Sequence, residues 1–277
     1  MTPITIMDFT GIYETETFYR HEAVRWLDCR RIKGTSCYCD EEAERKLAGL
    51  IAPFPPSGIH FIDSGNYHYM TKLWTDKLTA PFDLVLIDHH PDMQPSLFEE
   101  LLSCGCWVNR TLDTNPFLCK VILLGASDAL TASIPAEKKD RVIAFGESAF
   151  QSEEVWRNFL LVHAPHPIYL SIDKDVLSPS QVLTNWDQGR FSLKTLNRLL
   201  QVLAASGSII GADICGECPV SIQTALDSRI LDQDDQVNQA LMNMLRQPVS
   251  SLRAAGRPDT PACSPDGGRE DQNQQDN

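Results

Sequence analysis

Seven short runs of apolar, largely branched or aromatic residues recur along the chain, at 4–9, 58–63, 82–88, 120–125, 141–145, 167–173 and 208–213. Runs of this length bounded by turn residues read as strands. The third, Phe-Asp-Leu-Val-Leu-Ile-Asp, is almost continuously apolar, which predicts a strand covered on both faces. Between the runs, segments 40–51, 95–103, 152–163, 192–206 and 234–246 place apolar residues at helical spacing, and the first opens on acidic residues. Strands alternating with helices predict parallel βαβ units, and hence a three-layer αβα fold of the α/β class with a mostly parallel sheet. No internal repeat is visible. Beyond residue 247 the chain turns to Ser, Pro, Gly, Asp, Gln and Asn, so the expectation is one domain over 1–247 and a disordered polar tail over 248–277.

Composition narrows the function classes. A net charge of −13 speaks against nucleic acid or an anionic membrane as the main partner. No apolar run is long enough to span a bilayer and the N-terminus has no signal-peptide pattern, so a cytoplasmic location is expected. Nine cysteines suit reduced thiols better than a disulfide framework. Of the pairs Cys37/Cys39, Cys104/Cys106 and Cys215/Cys218 only the last has the spacing of a zinc knuckle, and all read as small buried hydrophobes and loop thiols rather than structural zinc pairs.

Ligands of open parallel sheets bind at the carboxyl ends of the strands. Here those ends are rich in Asp and His. Asp88-His89-His90-Pro91-Asp92 follows the third run; in extended chain, positions i, i+2 and i+4 share a side, so Asp88, His90 and Asp92 can converge. Asp173 and Asp175 converge by the same rule after the sixth run, and a turn-rich loop after the second ends in His68. His89 points to the opposite side, towards packing. A single Asp-x-Asp is ordinarily a solvated strand end, and a single His a packed one. Several carboxylates at one sheet end, with no Arg or Lys cluster beside them, call for cations. Mixed carboxylate and imidazole donors suit manganese, iron or zinc, and six ligands can hold two ions.

The order His…Asp-x-His-x-Asp…Asp-x-Asp resembles the arginase/agmatinase (ureohydrolase) superfamily, and Ser171-Ile-Asp-Lys-Asp-Val-Leu-Ser-Pro179 is similar to its second metal motif. The resemblance covers about residues 58–219 and implies an arginase-like fold holding two Mn2+, with other divalent metals possible. It also implies that Asp88 and Asp173 bridge both ions, His68 and Asp92 completing one and His90 and Asp175 the other. Leu124-Gly-Ala-Ser-Asp128 is similar to the segment whose Asp contacts the substrate's amino group. Gly211-Ala-Asp-Ile-Cys-Gly-Glu217-Cys-Pro219 is similar to the segment whose Glu binds guanidinium, although Glu217 sits one position late.

Three departures bear on substrate. Gly65-Asn-Tyr-His68 stands for the family's Gly-Gly-Asp-His, and Gln94 stands where arginases use an Asn that holds the amino-acid carboxylate. Ser103-Cys-Gly-Cys-Trp107 lacks the shuttle histidine of the corresponding loop. The expected reaction is hydrolysis of a C–N bond of a guanidino or amidino group by metal-bound hydroxide. Asp92 handles the proton, and Glu217 or Asp128 meets the substrate's positive charge. The expected partner is a small cationic guanidino compound other than free arginine, or an arginine-containing peptide, with oligomeric state left open. Rival readings are a DHH-type manganese phosphoesterase, suggested by Asp88-His89-His90, a deacetylase-like amide hydrolase, and a metal-stabilised binding protein without catalysis. Tyr13 and Glu14 are candidates for the pocket mouth, and His163 and His166 for the surface.

Overall fold

A computed structural model describes residues 2–96, 101–132, 134–152, 154–156, 165–219 and 228–246. The polar tail and His163 lie outside the described residues, as do parts of the helices expected at 95–103 and 152–163.

Each of the seven apolar runs is a strand: β1 (Ile4–Asp8), β4 (Ile59–Phe61), β5 (Phe82–Ile87), β7 (Leu118–Leu124), β8 (Val142–Phe145), β9 (Ile168–Asp173) and β10 (Ile209–Cys215). An eighth, β2 (Val24–Asp28), pairs with β1 at the edge; Arg25 and Asp28 interrupt its apolar pattern, which hid it in the sequence. The order is β2-β1-β4-β10-β9-β5-β7-β8, and every pairing in this sheet is parallel. The chain lays β1, β2 and β4 on one side and β5, β7 and β8 on the other, then inserts β9 and β10 between them. In open parallel sheets such a change of direction is where ligands bind, at the carboxyl ends of the central strands.

Side-chain alternation divides the core between the two faces. Val85 and Ile87 pack with Ile122, Leu170 and Ile172 on one side. Leu84 and Leu86 pack with Val121, Leu123 and Trp74 on the other. Helix α1 (Glu41–Ile51), with the Asp40 side chain capping Ala43 N, covers the second face, as do α2 (Met70–Thr75) and α3 (Trp107–Thr114). A short α4 (Asp128–Ala132) follows β7. Helix α5 (Leu193–Ser206) covers the first face with Leu196, Leu199 and Leu203, and α6 (Ser228–Arg246) with Val237, Leu241 and Met242. The three-layer α/β expectation holds.

One expected helix is corrected. Within 95–103, Leu102–Ser103 forms a strand, β6, paired antiparallel with β3 (Tyr38–Cys39). Backbone pairing to a distant segment overrides the local helical spacing. Among the described residues no helix is long and apolar enough to cross a membrane.

Candidate metal centre

The six expected ligands converge at the carboxyl end of the sheet. Asp88 follows β5, Asp173 ends β9, Asp175 lies two residues further in a 3-10 turn, and His68 caps a 3-10 turn after β4. His68 Nδ1 lies 3.3 Å from Asp88 Oδ2, 3.1 Å from Asp92 Oδ2 and 3.5 Å from Asp173 Oδ2. His90 Nδ1 lies 2.8 Å from Asp175 Oδ2 and 3.7 Å from Asp88 Oδ1. Ligand-capable atoms of His68, Asp88 and Asp92 lie within 4.8 Å of one another, as do those of Asp88, His90 and Asp175. The two triplets share Asp88. The four carboxylates and His68 are buried, whereas His90 keeps 26% of its side chain exposed and faces the opening.

The set fits divalent cations on two observations. Among the described residues the four carboxylates form ion pairs only with His68 and His90. Asp88 Oδ2 is buried without a hydrogen-bond partner, a costly state for a carboxylate oxygen unless something else meets it.

The electrostatics of the cluster give the same picture. Burial lowers the affinity of His68 for its proton, but Asp88 and Asp92 overcome this and hold it well above the usual range. Burial likewise opposes protonation of His90, and Asp175 and Asp88 lift it to about 11. Burial, then the charge of Asp88, raises Asp92 to about 6. Burial, then Asp173 and Asp88, raises Asp175 well above an ordinary carboxylate. Asp88 goes the other way: burial would raise it, and the two imidazoles together bring it down. Protons thus supply the positive charge that the chain itself does not place there.

Local structure fixes three of the expected ligands. Asp92 sits at φ 50, a left-handed backbone that a non-glycine residue adopts only when its surroundings enforce it. The enforcing group is Trp107, whose Nε1–H donates to Asp92 Oδ2 at 2.6 Å while its ring lies against His68, centroids 4.9 Å apart. His68 Nε2 meets Ser171 Oγ at 2.8 Å, which orients the ring with Nδ1 towards the carboxylates. Asp173 accepts from Asp175 N–H and from the Cys215 thiol, at 2.9 and 3.0 Å. Gly216, at φ +95, permits this approach, since a Cβ there would lie 2.5 Å from Asp173 Oδ1.

Sequence reasoning missed three residues around the centre. Trp107 follows the loop that lacks the histidine, and its indole holds Asp92 instead. Cys215, Asp173 and His68 form a third set of ligand-capable atoms within 4.8 Å. Trp186 stands at the opening, 41% exposed, its ring 6.3 Å from that of His90. Asn66 Oδ1 accepts from Trp186 Nε1–H at 3.1 Å and from Asn185 at 2.8 Å, so this exposed indole is held in place. Trp186 and Tyr38 are the exposed large hydrophobic residues among the described ones. For Trp186 the available signal was an aromatic in a polar turn; its nearness to His90 is a tertiary fact.

The other expected site residues lie elsewhere. Asp128 is exposed at the start of α4, at the same end of the sheet and beside Gly146. Gln94 is exposed, with its amide against Gly105. Glu217 differs from expectation: it is fully buried, with Oε2 2.5 Å from Lys174 Nζ and Oε1 accepting from Asn238 at 2.8 Å. Both oxygens are engaged, so its charge is already met from within the chain. Tyr13 does not line a mouth either; it is buried, its oxygen accepting from Asp63 N–H at 2.8 Å. Glu14 is exposed and pairs with Arg30. His89 faces away from the cluster, against Gly189. His166 is partly buried at the opposite end of the sheet, paired with Asp83 at 3.1 Å.

Comparison with known proteins agrees with this geometry. A family model described as "Arginase family" matches residues 58–227. An uncharacterized protein of Thermotoga maritima is 31% identical over 244 residues, covering 87% of this chain and 89% of its own. The solved structure of proclavaminate amidino hydrolase from Streptomyces clavuligerus superimposes with a TM-score of 0.63 at 13% identity, covering 88% of this chain and 92% of its own. That of Trypanosoma cruzi formiminoglutamase with Mn2+ gives 0.61 at 12% identity, covering 89% and 95%. With most of the domain matched by the family model, and the strand ends carrying the family's pattern of His and Asp, this chain belongs to the arginase family.

Proposed function

We propose that this chain is a binuclear, manganese-dependent hydrolase that breaks a C–N bond of a guanidino or amidino cation, and that its substrate is larger than free arginine. The carrying observation is Asp88, shared between two triplets of ligand-capable atoms, with a buried oxygen that accepts no hydrogen bond and meets only the His68 imidazole, at 3.3 Å. His68 and Asp92 would hold one ion, His90 and Asp175 the other, with Asp88 and Asp173 common to both. The formiminoglutamase that shares this fold binds Mn2+, which supports the choice of metal. When bound, the ion pair supplies the Lewis acidity that makes water nucleophilic near neutral pH and polarises the carbon under attack.

The chain's own residues do the rest. Asp92, with Oδ2 held by Trp107 and His68, would carry the transferred proton on Oδ1 to the leaving amine. Trp186 presents a fixed aromatic face next to His90, suited to a planar cation. Asp128 is the carboxylate left to meet substrate charge, since Glu217 is tied to Lys174. The exposed Trp186 face beside the partly exposed His90 suits an arginine side chain within a peptide better than a small free amino acid. Family membership removes the phosphoesterase alternative. The engaged Glu217 favours one second reading, a metal-loaded binding protein without turnover.

The test is to incubate the Mn2+-loaded protein with arginine, agmatine, other guanidino compounds and arginine-containing peptides, and to follow urea release and product mass. Peptides should lose the mass difference between arginine and ornithine, and a chelator should stop the loss. Manganese bound without product from any of these compounds would leave the binding reading in its place.

A further inference from the structure

We propose that Cys37 and Cys104 form a modification site, a thiol pair at the edge of the metal centre that peroxides or small disulfides convert reversibly to a disulfide. The short ribbon of β3 and β6 carries the argument. Its antiparallel register pairs Tyr38 with Ser103 and Cys39 with Leu102. One step further along the same ladder Cys37 lies opposite Cys104, and Cys104 N–H donates to Cys37 O at 2.9 Å.

Directly opposed residues in antiparallel strands have Cα atoms about 4.5–5.5 Å apart. A disulfide spans Cα separations of about 4.4–6.8 Å, so the register already meets its requirement. The backbone bond from Cys104 N–H to Cys37 O holds the two residues side by side. Both residues are partly exposed, unlike Cys29, Cys39, Cys106, Cys119 and Cys215, which are buried. Cys39 lies in the same ribbon but is sealed in the core, with its sulfur bonded to the Asp40 carbonyl. Cys37 is held at φ 59, a left-handed position that ordinary residues avoid.

The pair also lies close to the ligands. The Cys104 thiol feels the charges of Asp92 and Asp173, and burial together with those charges raises its pKa. Either thiol can react first, and the balance is the same. With a peroxide, the Cys37 thiolate attacks the O–O bond to give a sulfenic acid and releases water or an alcohol. The Cys104 sulfur then displaces the sulfenic oxygen as water, its own S–H proton leaving with that water. The sulfurs lose two electrons and the peroxide oxygens gain them. The new bond joins the segment before α1 to the loop between Asp92 and Trp107, and so fastens the edge of the site covalently.

The test uses the full-length protein treated with a small excess of hydrogen peroxide or oxidised glutathione, then alkylated and digested without reduction. The expected result is loss of two hydrogens of mass, a peptide containing Cys37 joined to one containing Cys104, and full recovery with a thiol reductant. C37S and C104S should each abolish the link, and C29S should leave it intact. Finding both cysteines still open to alkylation, joined to other partners, or oxidised only to sulfinic and sulfonic acids, would overturn the assignment. The readout does not depend on bound metal or on turnover, so it stands apart from the hydrolase reading.

Discussion

Two buried acidic clusters adjoin one another, and Lys174 lies between two residues of the first, Asp173 and Asp175. In that first cluster four carboxylates meet two imidazoles, and Asp88 Oδ2 accepts no hydrogen bond. In the second, Glu16, Glu217 and Asp234 surround the Lys174 ammonium, which lies 2.5 Å from Glu217 and 2.7 Å from Asp234. Asn238 bridges the same group, donating to Glu16 and Glu217 at 2.8 Å each. The second set meets most of its charge from within the chain; the first leaves its charge to be met from outside. Both clusters bury charge, and what separates a site from a scaffold is where the opposite charge comes from.

The largest expected effect breaks the first cluster. Asp88→Asn removes the carboxylate common to both triplets; manganese bound per chain should fall from two to one or none, and activity by at least about 100-fold. Metal analysis and urea release measure these, and two tightly bound ions in the variant would contradict the shared role. The second cluster should respond in stability. Lys174→Met leaves Asp234 and Glu217 buried without a cation, at a cost of about 3–5 kcal/mol in a denaturant titration. A loss no larger than that of an ordinary surface substitution would show that the ammonium is dispensable.

Between the clusters and solvent stands Trp186. Trp186→Ala should raise KM about 5- to 30-fold, the range of a partly desolvated cation–π contact, with little change in kcat and partial rescue by Phe. An equal fall in kcat would instead make it part of the catalytic geometry. The smallest effect separates the clusters by pH. Burial, then Glu217, raises Glu16 well above an ordinary carboxylate, so the folded state holds a proton there that the unfolded chain has already released. Stability therefore falls as pH rises from the ordinary carboxylate range through the raised value. Glu16→Gln removes that loss: it should stabilise by about 1 kcal/mol at pH 8, and the gain should vanish near pH 4. A gain independent of pH would mean that Glu16 does not titrate as its burial requires.

Much of this was legible from sequence for one reason. A parallel sheet buried on both faces must write its strands as continuous apolar runs, and chemistry placed at strand ends must follow those runs directly. Asp88, His90, Asp92, Asp173 and Asp175 could be read that way. Strand β2 could not, because an edge strand tolerates Arg25 and Asp28, and neither could the β3–β6 ribbon, whose two strands are two residues long. Glu217 was misjudged because the group that engages it, Lys174, reads as a spacer between ligands, and its other partners lie on α6. Trp186 and Asn66, 120 positions apart, meet only through the fold.

Helix α6 has a further consequence, for the order of events during synthesis. Asp234 and Asn238 reach Lys174 and Glu16, Asp235 accepts from the backbone of Thr17 and Phe18, and Arg246 pairs with Glu22. A nascent chain that has not yet delivered this helix leaves Lys174 without Asp234 or Asn238, next to the turn that carries two of the ligands. Capture of the proposed metal is therefore expected to come late, after α6 has docked on the first twenty or so residues.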